Sequence, residues 1–98
     1  MMSSRTHRVS VVVPTYNEES SVGEVVDGIK SCMKECEILV VDGGSEDHTV
    51  RIAESKGAKV LELGERGKGL ACRKGVEVAK GEIVVFIDGD GSYPADYI

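Results

Sequence analysis

The sequence predicts an α/β fold built on an open parallel sheet, with elements in the order β-α-β-α-β-α-β. Three observations carry this prediction. Short apolar runs rich in β-branched residues recur at 9–13, 38–41, 58–63 and 82–87, and each is followed by Pro, Asp or Gly. The segments between them space their apolar residues as a helix buried on one face does. Strands that alternate with helices of this length form βαβ units, hence a parallel sheet with right-handed crossovers.

The elements follow in order. After the first strand, Val22, Val25, Val26, Ile29, Cys32 and Met33 keep the i, i+3, i+4, i+7 spacing, with Asn17, Ser20 or Ser21 as the cap. After the second, Ser45 or Asp47 caps a helix that carries Val50 and Ala53 and ends at Gly57. A third helix runs from Gly69 to Lys80, with Leu70, Ala71, Val78 and Ala79 inward and Gly81 as its stop. No repeat, low-complexity segment or linker divides the chain. Residues 1–8 are expected to be a flexible N-terminus and 9–98 a single domain.

Composition narrows the function classes. Of 98 residues, 41% are hydrophobic and 30% charged, a globular rather than a disordered balance. The net charge is −5 and no Lys/Arg cluster is dense enough to neutralise a run of phosphates, which argues against nucleic acid as a partner. Cys32, Cys36 and Cys72 are an odd set without the paired spacings of a zinc site, so they read as reduced thiols of a cytoplasmic protein. Cys32 and Cys36 lie four apart, a spacing that fits one helix face. The apolar run after the basic N-terminus is too short for a signal peptide, and no segment is long enough to span a bilayer.

In an open parallel sheet, ligands bind where the loops leave the C-terminal ends of the strands. The segments to weigh are therefore 14–19, 42–47, 64–69 and 88–93. Three of them carry acids at the strand exit: Glu18 and Glu19, Asp42, and Asp88 with Asp90. Carboxylates gathered at one edge repel unless a cation or hydrogen-bond donors stand among them. The Asp88-Gly89-Asp90 triplet suits a Mg or Mn divalent cation, which takes carboxylate oxygens and bridges to phosphates. Its plain alternative is a solvated acidic turn. Against that stands its place at the mouth of a buried strand, with no Lys or Arg after Lys80 to pair it. A calcium-binding EF-hand loop would need Gly where Tyr93 stands and a helix before the motif. A phosphoaspartyl phosphatase would use Asp88 as a nucleophile, but leaves Glu18 and Asp42 unexplained.

The stretch GERGKGLACRKG, 64–75, has neither the spacing of a Walker loop nor that of a dinucleotide fingerprint. It does place Lys68 and Arg73 near a helix N-terminus, where an anion is favoured. Solvated cations at an ordinary helix start are an equal reading. His7 and His48 read as surface or capping residues.

Taken together, SVVVPTYNEE (10–19), ILVVDGGSEDHT (38–49), GKGLACRKG (67–75) and GEIVVFIDGDGSYP (81–94) resemble the family 2 glycosyltransferases. Within these the likeness is to enzymes that move a hexose from a nucleotide diphosphate to dolichyl or another polyprenyl phosphate. The resemblance implies the nucleotide-binding half of a GT-A fold, with a Rossmann-like sheet, and an inverting, metal-dependent transfer from a UDP- or GDP-linked sugar. It implies that Pro14, Tyr16 and Glu18 line the nucleotide pocket, that Asp42 accepts a hydrogen bond from the base, and that Lys68 and Arg73 lie near the diphosphate. It further implies that Asp88 and Gly89 contact the ribose side of the donor and that Asp90, with Asp88, holds the metal. Family members often carry a second Asp where this chain has Gly43. The acceptor-side strands and the catalytic base of the family fall outside the matched region. The expectation for these 98 residues is therefore donor binding without turnover, in a truncated domain whose helix opened by Pro94 is cut at Ile98. A sheet edge left open by missing strands is expected to favour homo-oligomers, and a longer parent is expected at the cytoplasmic membrane face.

Overall fold

A computed structural model of the chain describes residues 9–33 and 35–91. In them the β-branched runs form strands β1 (Val9–Thr15), β2 (Cys36–Asp42), β3 (Lys59–Glu62) and β4 (Ile83–Phe86). These alternate with helices α1 (Val22–Cys32), α2 (Thr49–Ser55) and α3 (Lys68–Val78). All pairings are parallel and the spatial order is β3-β2-β1-β4. The α/β fold with a Rossmann-like open sheet is thus the one predicted. The expected flexible segment 1–8, His7, and the helix opening at Pro94 lie outside the described residues.

The strand order positions the site. The chain steps from β1 to β2 to β3, then α3 carries it back across the sheet to lay β4 on the other side of β1. Ligands bind at such a reversal, where neighbouring loops diverge and open a crevice at the strand ends. The exits of β1 and β4 flank it.

Alternate residues of the central strands serve opposite layers. Val11 and Val13 of β1 and Ile38 and Val40 of β2 face α1 and α2, packing with Val22, Val25, Val26, Ile29 and Ala53. Val12, Leu39 and Val41 point the other way and pack with Ala71 of α3. This is why β1 and β2 read as unbroken apolar runs: both faces are covered. β3 and β4 are shorter than their apolar runs suggest, and β4 leaves Ile83 and Phe86 about half exposed.

Several local expectations are corrected. The strand β1 continues through Pro14 and Thr15, which pair with Val41 and Asp42 of β2. Its pairing with β4 stops at Val12, short of Pro14, which has no N–H to give the ladder. Cys32 is exposed at the end of α1 and Cys36 opens β2, so they share no helix face. On α3 the buried positions are Ala71 and Gly75, whereas Val78 points outward with Val76. The helix does not end on a left-handed glycine at Gly81. Ala79 leaves it in an extended conformation, and Gly81 instead packs on β1, where a Cβ would lie 2.6 Å from the Ser10 nitrogen. Gly57 does close α2 as predicted, at φ +94°.

Candidate functional site

Two strand exits are stitched together before any pocket is formed. Asn17, at φ +52°, donates its N–H to Ser45 Oγ at 2.7 Å and accepts from Glu46 N at 2.9 Å. Glu18 N donates to Thr49 Oγ1 at 2.8 Å, and Glu19 N to Asp47 Oδ2 at 3.2 Å. The Thr49 hydroxyl and N–H both donate to Asp47 Oδ1. Burial alone pushes the Asp47 carboxyl up, but these donors outweigh it and hold it below its ordinary value. Asn17, Ser45 and Asp47, expected as caps, thus join the two loops, and Asp47 also receives the Thr49 N–H that opens α2. Ser21 precedes α1 without capping it and donates its hydroxyl to the Gly89 carbonyl at 2.7 Å, tying the β4 exit to α1.

A cleft of about 490 Å³ opens over these exits, lined by Pro14, Tyr16, Glu18, Lys68, Asp88 and Asp90 among others. Six of the residues expected at the site thus share one wall, although they come from segments up to 76 positions apart, Pro14 to Asp90. Gly89 lies immediately behind, buried, its N–H on the Pro14 carbonyl at 3.3 Å. A Cβ at Gly89 would stand 2.6 Å from Thr15 Cγ2, so only glycine lets the two exits close this far.

Asp88 does have a basic partner. Lys68, from the start of α3, reaches it with Nζ 2.6 Å from Oδ1, correcting the expectation that nothing pairs the triplet. The hydrogen bond to Asp88 and the charges of Asp88 and Asp90 push the Lys68 ammonium up. Glu18 is pushed up too, by burial first and then by the charge of Asp90, with Asp88 and Asp47 adding less, against a lowering backbone hydrogen bond. The carboxylates of this edge thus repel one another.

Two expected residues stand elsewhere. Asp42 is not on the wall: it is 1% exposed and accepts from Thr15 Oγ1 (2.6 Å), Ser45 Oγ (2.6 Å), Ser45 N (2.7 Å) and Gly44 N (3.1 Å). Arg73 is exposed on α3 and does not line the cleft. In its place Arg66, which sequence reasoning passed over, lines the cleft with Gly43, Gly67, Ala71 and Thr15. The signal was available, because Arg66 falls in the third strand exit while Arg73 lies more than a turn inside the following helix.

The donor set fits a hard divalent cation brought in with a ligand. Asp88, Asp90 and Glu18 offer carboxylate oxygens, the atoms Mg or Mn takes. Among the described residues no three His, Cys, Asp or Glu stand together to hold an ion by themselves. Mg²⁺ sites commonly use one or two carboxylates and complete the shell with water and substrate phosphates.

Comparison with known proteins gives this geometry a family. Residues 10–98 match the family model described as Glycosyl transferase family 2. Protein RfbJ of Shigella flexneri is 32% identical over 89% of this chain and 67% of its own length. A dolichyl-phosphate hexose transferase of Haloferax volcanii is 37% identical over 92% of this chain and 40% of its own. Among solved structures, a Mycobacterium tuberculosis glucosyl-3-phosphoglycerate synthase in complex with Mn²⁺, UDP and glucosyl-3-phosphoglycerate superposes with a TM-score of 0.76 at 34% identity. That match covers 85% of this chain and 33% of the other, so the chain spans about a third of its length. The motifs, the parallel sheet and these matches agree: the chain belongs to the family 2 glycosyltransferases and carries the Rossmann-like sheet of their GT-A fold.

Proposed function

We propose that this chain is the donor-binding part of a metal-assisted hexosyltransferase that uses a nucleotide diphosphate sugar, UDP-linked rather than GDP-linked, with a polyprenyl phosphate as acceptor. The observation that carries the reading is the cleft at the β1/β4 reversal, where an aromatic ring, a lysine at a helix N-terminus and three carboxylates face one space. Tyr16 and Pro14 offer flat apolar surface to a nucleoside. Lys68 and the N–H groups that open α3 favour a diphosphate. Asp90 and Asp88 would hold the cation against it. When bound, that ion offsets the charge that builds on the leaving nucleoside diphosphate. The carboxylate of Asp42 already receives four donors, so its part is to fix Thr15 and Ser45 behind the wall. The preference for UDP is supported by the mycobacterial complex, and the acceptor by the name of the haloarchaeal relative. A phosphoaspartyl phosphatase is set aside by the family match.

Calorimetric titration with UDP- and GDP-hexoses, with and without Mn²⁺, tests the reading. UDP-hexose is expected to bind with a Mn²⁺-dependent increment that Asp90→Asn removes, because an amide lacks the anionic oxygen the ion prefers. Equal Mn²⁺ dependence in both proteins would reject the metal assignment, and no binding of any nucleotide sugar would reject the reading itself.

A further inference from the structure

Tyr16 is the aromatic side chain among the described residues of the cleft, and one face of its ring is already covered. The Arg66 guanidinium carbon stands 3.9 Å from the ring centroid, well inside cation–π range. That separation leaves no room for a third plane between them. A nucleobase cannot stack on this face of Tyr16 unless Arg66 leaves it.

The contact has a built seat. A Cβ at Gly43 would lie 3.1 Å from Arg66 Cα and 3.4 Å from the Glu65 carbonyl oxygen. The bare backbone at the β2 exit thus lets the 64–67 loop lie against the end of the sheet and delivers Arg66 to the ring.

Resting on the nucleotide-sugar reading of the cleft, we propose that Arg66 is a specificity-determining gate: it caps Tyr16 against uncharged nucleosides, and the diphosphate of a donor draws it off the ring. A ligand shifts a conformational equilibrium only by its differential affinity for the two states. A nucleoside offers the guanidinium nothing in exchange for the ring face, whereas a diphosphate offers charge-assisted hydrogen bonds. Lys68 in the same cleft is paired with Asp88 at 2.6 Å, whereas Arg66 is held by a ring, so a diphosphate can draw on Arg66 without breaking that ion pair.

The test titrates uridine and UDP, in the presence of Mn²⁺, into the 98-residue chain and its Arg66→Ala and Gly43→Ala variants. Arg66 is exposed, so its removal leaves the fold intact, which an amide NMR spectrum verifies. Arg66→Ala is expected to bind uridine about two- to five-fold tighter, the worth of an exposed cation–π contact, and UDP more weakly. Gly43→Ala keeps the charge but crowds its seat. It is expected to reduce the ring-current shift of the Arg66 Nε proton and tighten uridine binding while retaining that of UDP. Weaker uridine binding by Arg66→Ala would make the guanidinium half of the base's own sandwich and overturn the gate. UDP binding with the uridine-to-UDP ratio unchanged in both variants would overturn the gate alone. No binding of UDP to any of the three proteins would reject the gate together with the nucleotide-sugar reading.

Discussion

Asp42 shows how a single buried acid can tie two strand exits together. Each of its two oxygens accepts two hydrogen bonds, from the β1 end through Thr15 and from the turn through Gly44 and Ser45. Thr15 lines the cleft, so Asp42 sets the wall from behind. Asp42→Ala leaves the Thr15 and Ser45 donors without their acceptor, at a cost of about 1–3 kcal/mol. For a chain of this size that lowers the melting temperature by roughly 4–8 °C for each kcal/mol. Circular dichroism melting measures this, and an unchanged midpoint would show that water replaces the carboxylate without loss. The sequence marked Asp42 as important from its place at a strand exit. Which way its oxygens point was not legible, because Thr15 and Asp42 are 27 residues apart and meet only through strand pairing.

At the scale of the element, α3 is the most informative. Its apolar content is low, and its docking depends on close approach rather than on large side chains: Ala71 and Gly75 are its buried residues. A Cβ at Gly75 would lie 2.5 Å from Val12 Cγ1, and Val12 is fully buried in the central strand with a stiff χ1. Gly75→Ala gains about 1 kcal/mol of helix propensity but overpacks the interface by about 1–3 kcal/mol, so a net destabilisation of up to about 2 kcal/mol is expected. Gly69, on the same helix, has nothing within 4 Å of such a Cβ, and Gly69→Ala is expected to stabilise by about 0.4–1 kcal/mol. Urea unfolding midpoints that move in opposite directions for the two variants check the packing argument, and parallel shifts would refute it. The helix was legible from the spacing of Leu70, Ala71, Val78 and Ala79. The inward face was misjudged at Val78, because hydrophobicity marked it as buried when small residues make the contact.

Across the whole molecule, the end of the sheet opposite the cleft is held by one buried carboxylate. Glu37 accepts from Ser10 Oγ at 2.7 Å and from Lys80 N at 2.9 Å, and Lys59 Nζ lies 3.3 Å from its other oxygen. Ser10 Oγ in turn accepts from Gly81 N at 2.8 Å. The network joins β1, β2 and β3 to the turn that feeds β4. Burial alone pushes the Glu37 carboxyl up, but the donors from Lys80, Ser10 and Lys59 outweigh it and hold it below its ordinary 4.5. A depressed folded value means that the ionised acid stabilises the native state. That contribution is fully present above the unfolded value and is lost as pH falls through the folded one. The stability gap between the parent chain and Glu37→Gln, read from urea midpoints, is therefore expected to be widest at neutral pH and to shrink below about pH 4.5. A gap that is constant with pH would remove the charge of Glu37 from the account.

The sequence by itself determined the alternation of strands and helices, the parallel sheet and the four exits to inspect, each of which rests on local pattern: β-branched runs, helical spacing and punctuation by Gly, Pro and Asp. The family came from the likeness of four short blocks, 10–19, 38–49, 67–75 and 81–94. The pairings inside the site were decided by tertiary structure alone. The reversal that sets β4 beside β1 brings Asp88 and Asp90 to Glu18, and α3 brings Lys68 to Asp88. The close pass of residues 65 and 66 over Gly43 lays Arg66 on Tyr16 in place of the expected Arg73. These contacts join residues 20 to 72 positions apart, and no spacing rule along the chain reaches that far. They depend on strand order and on where a missing Cβ allows two backbones to touch.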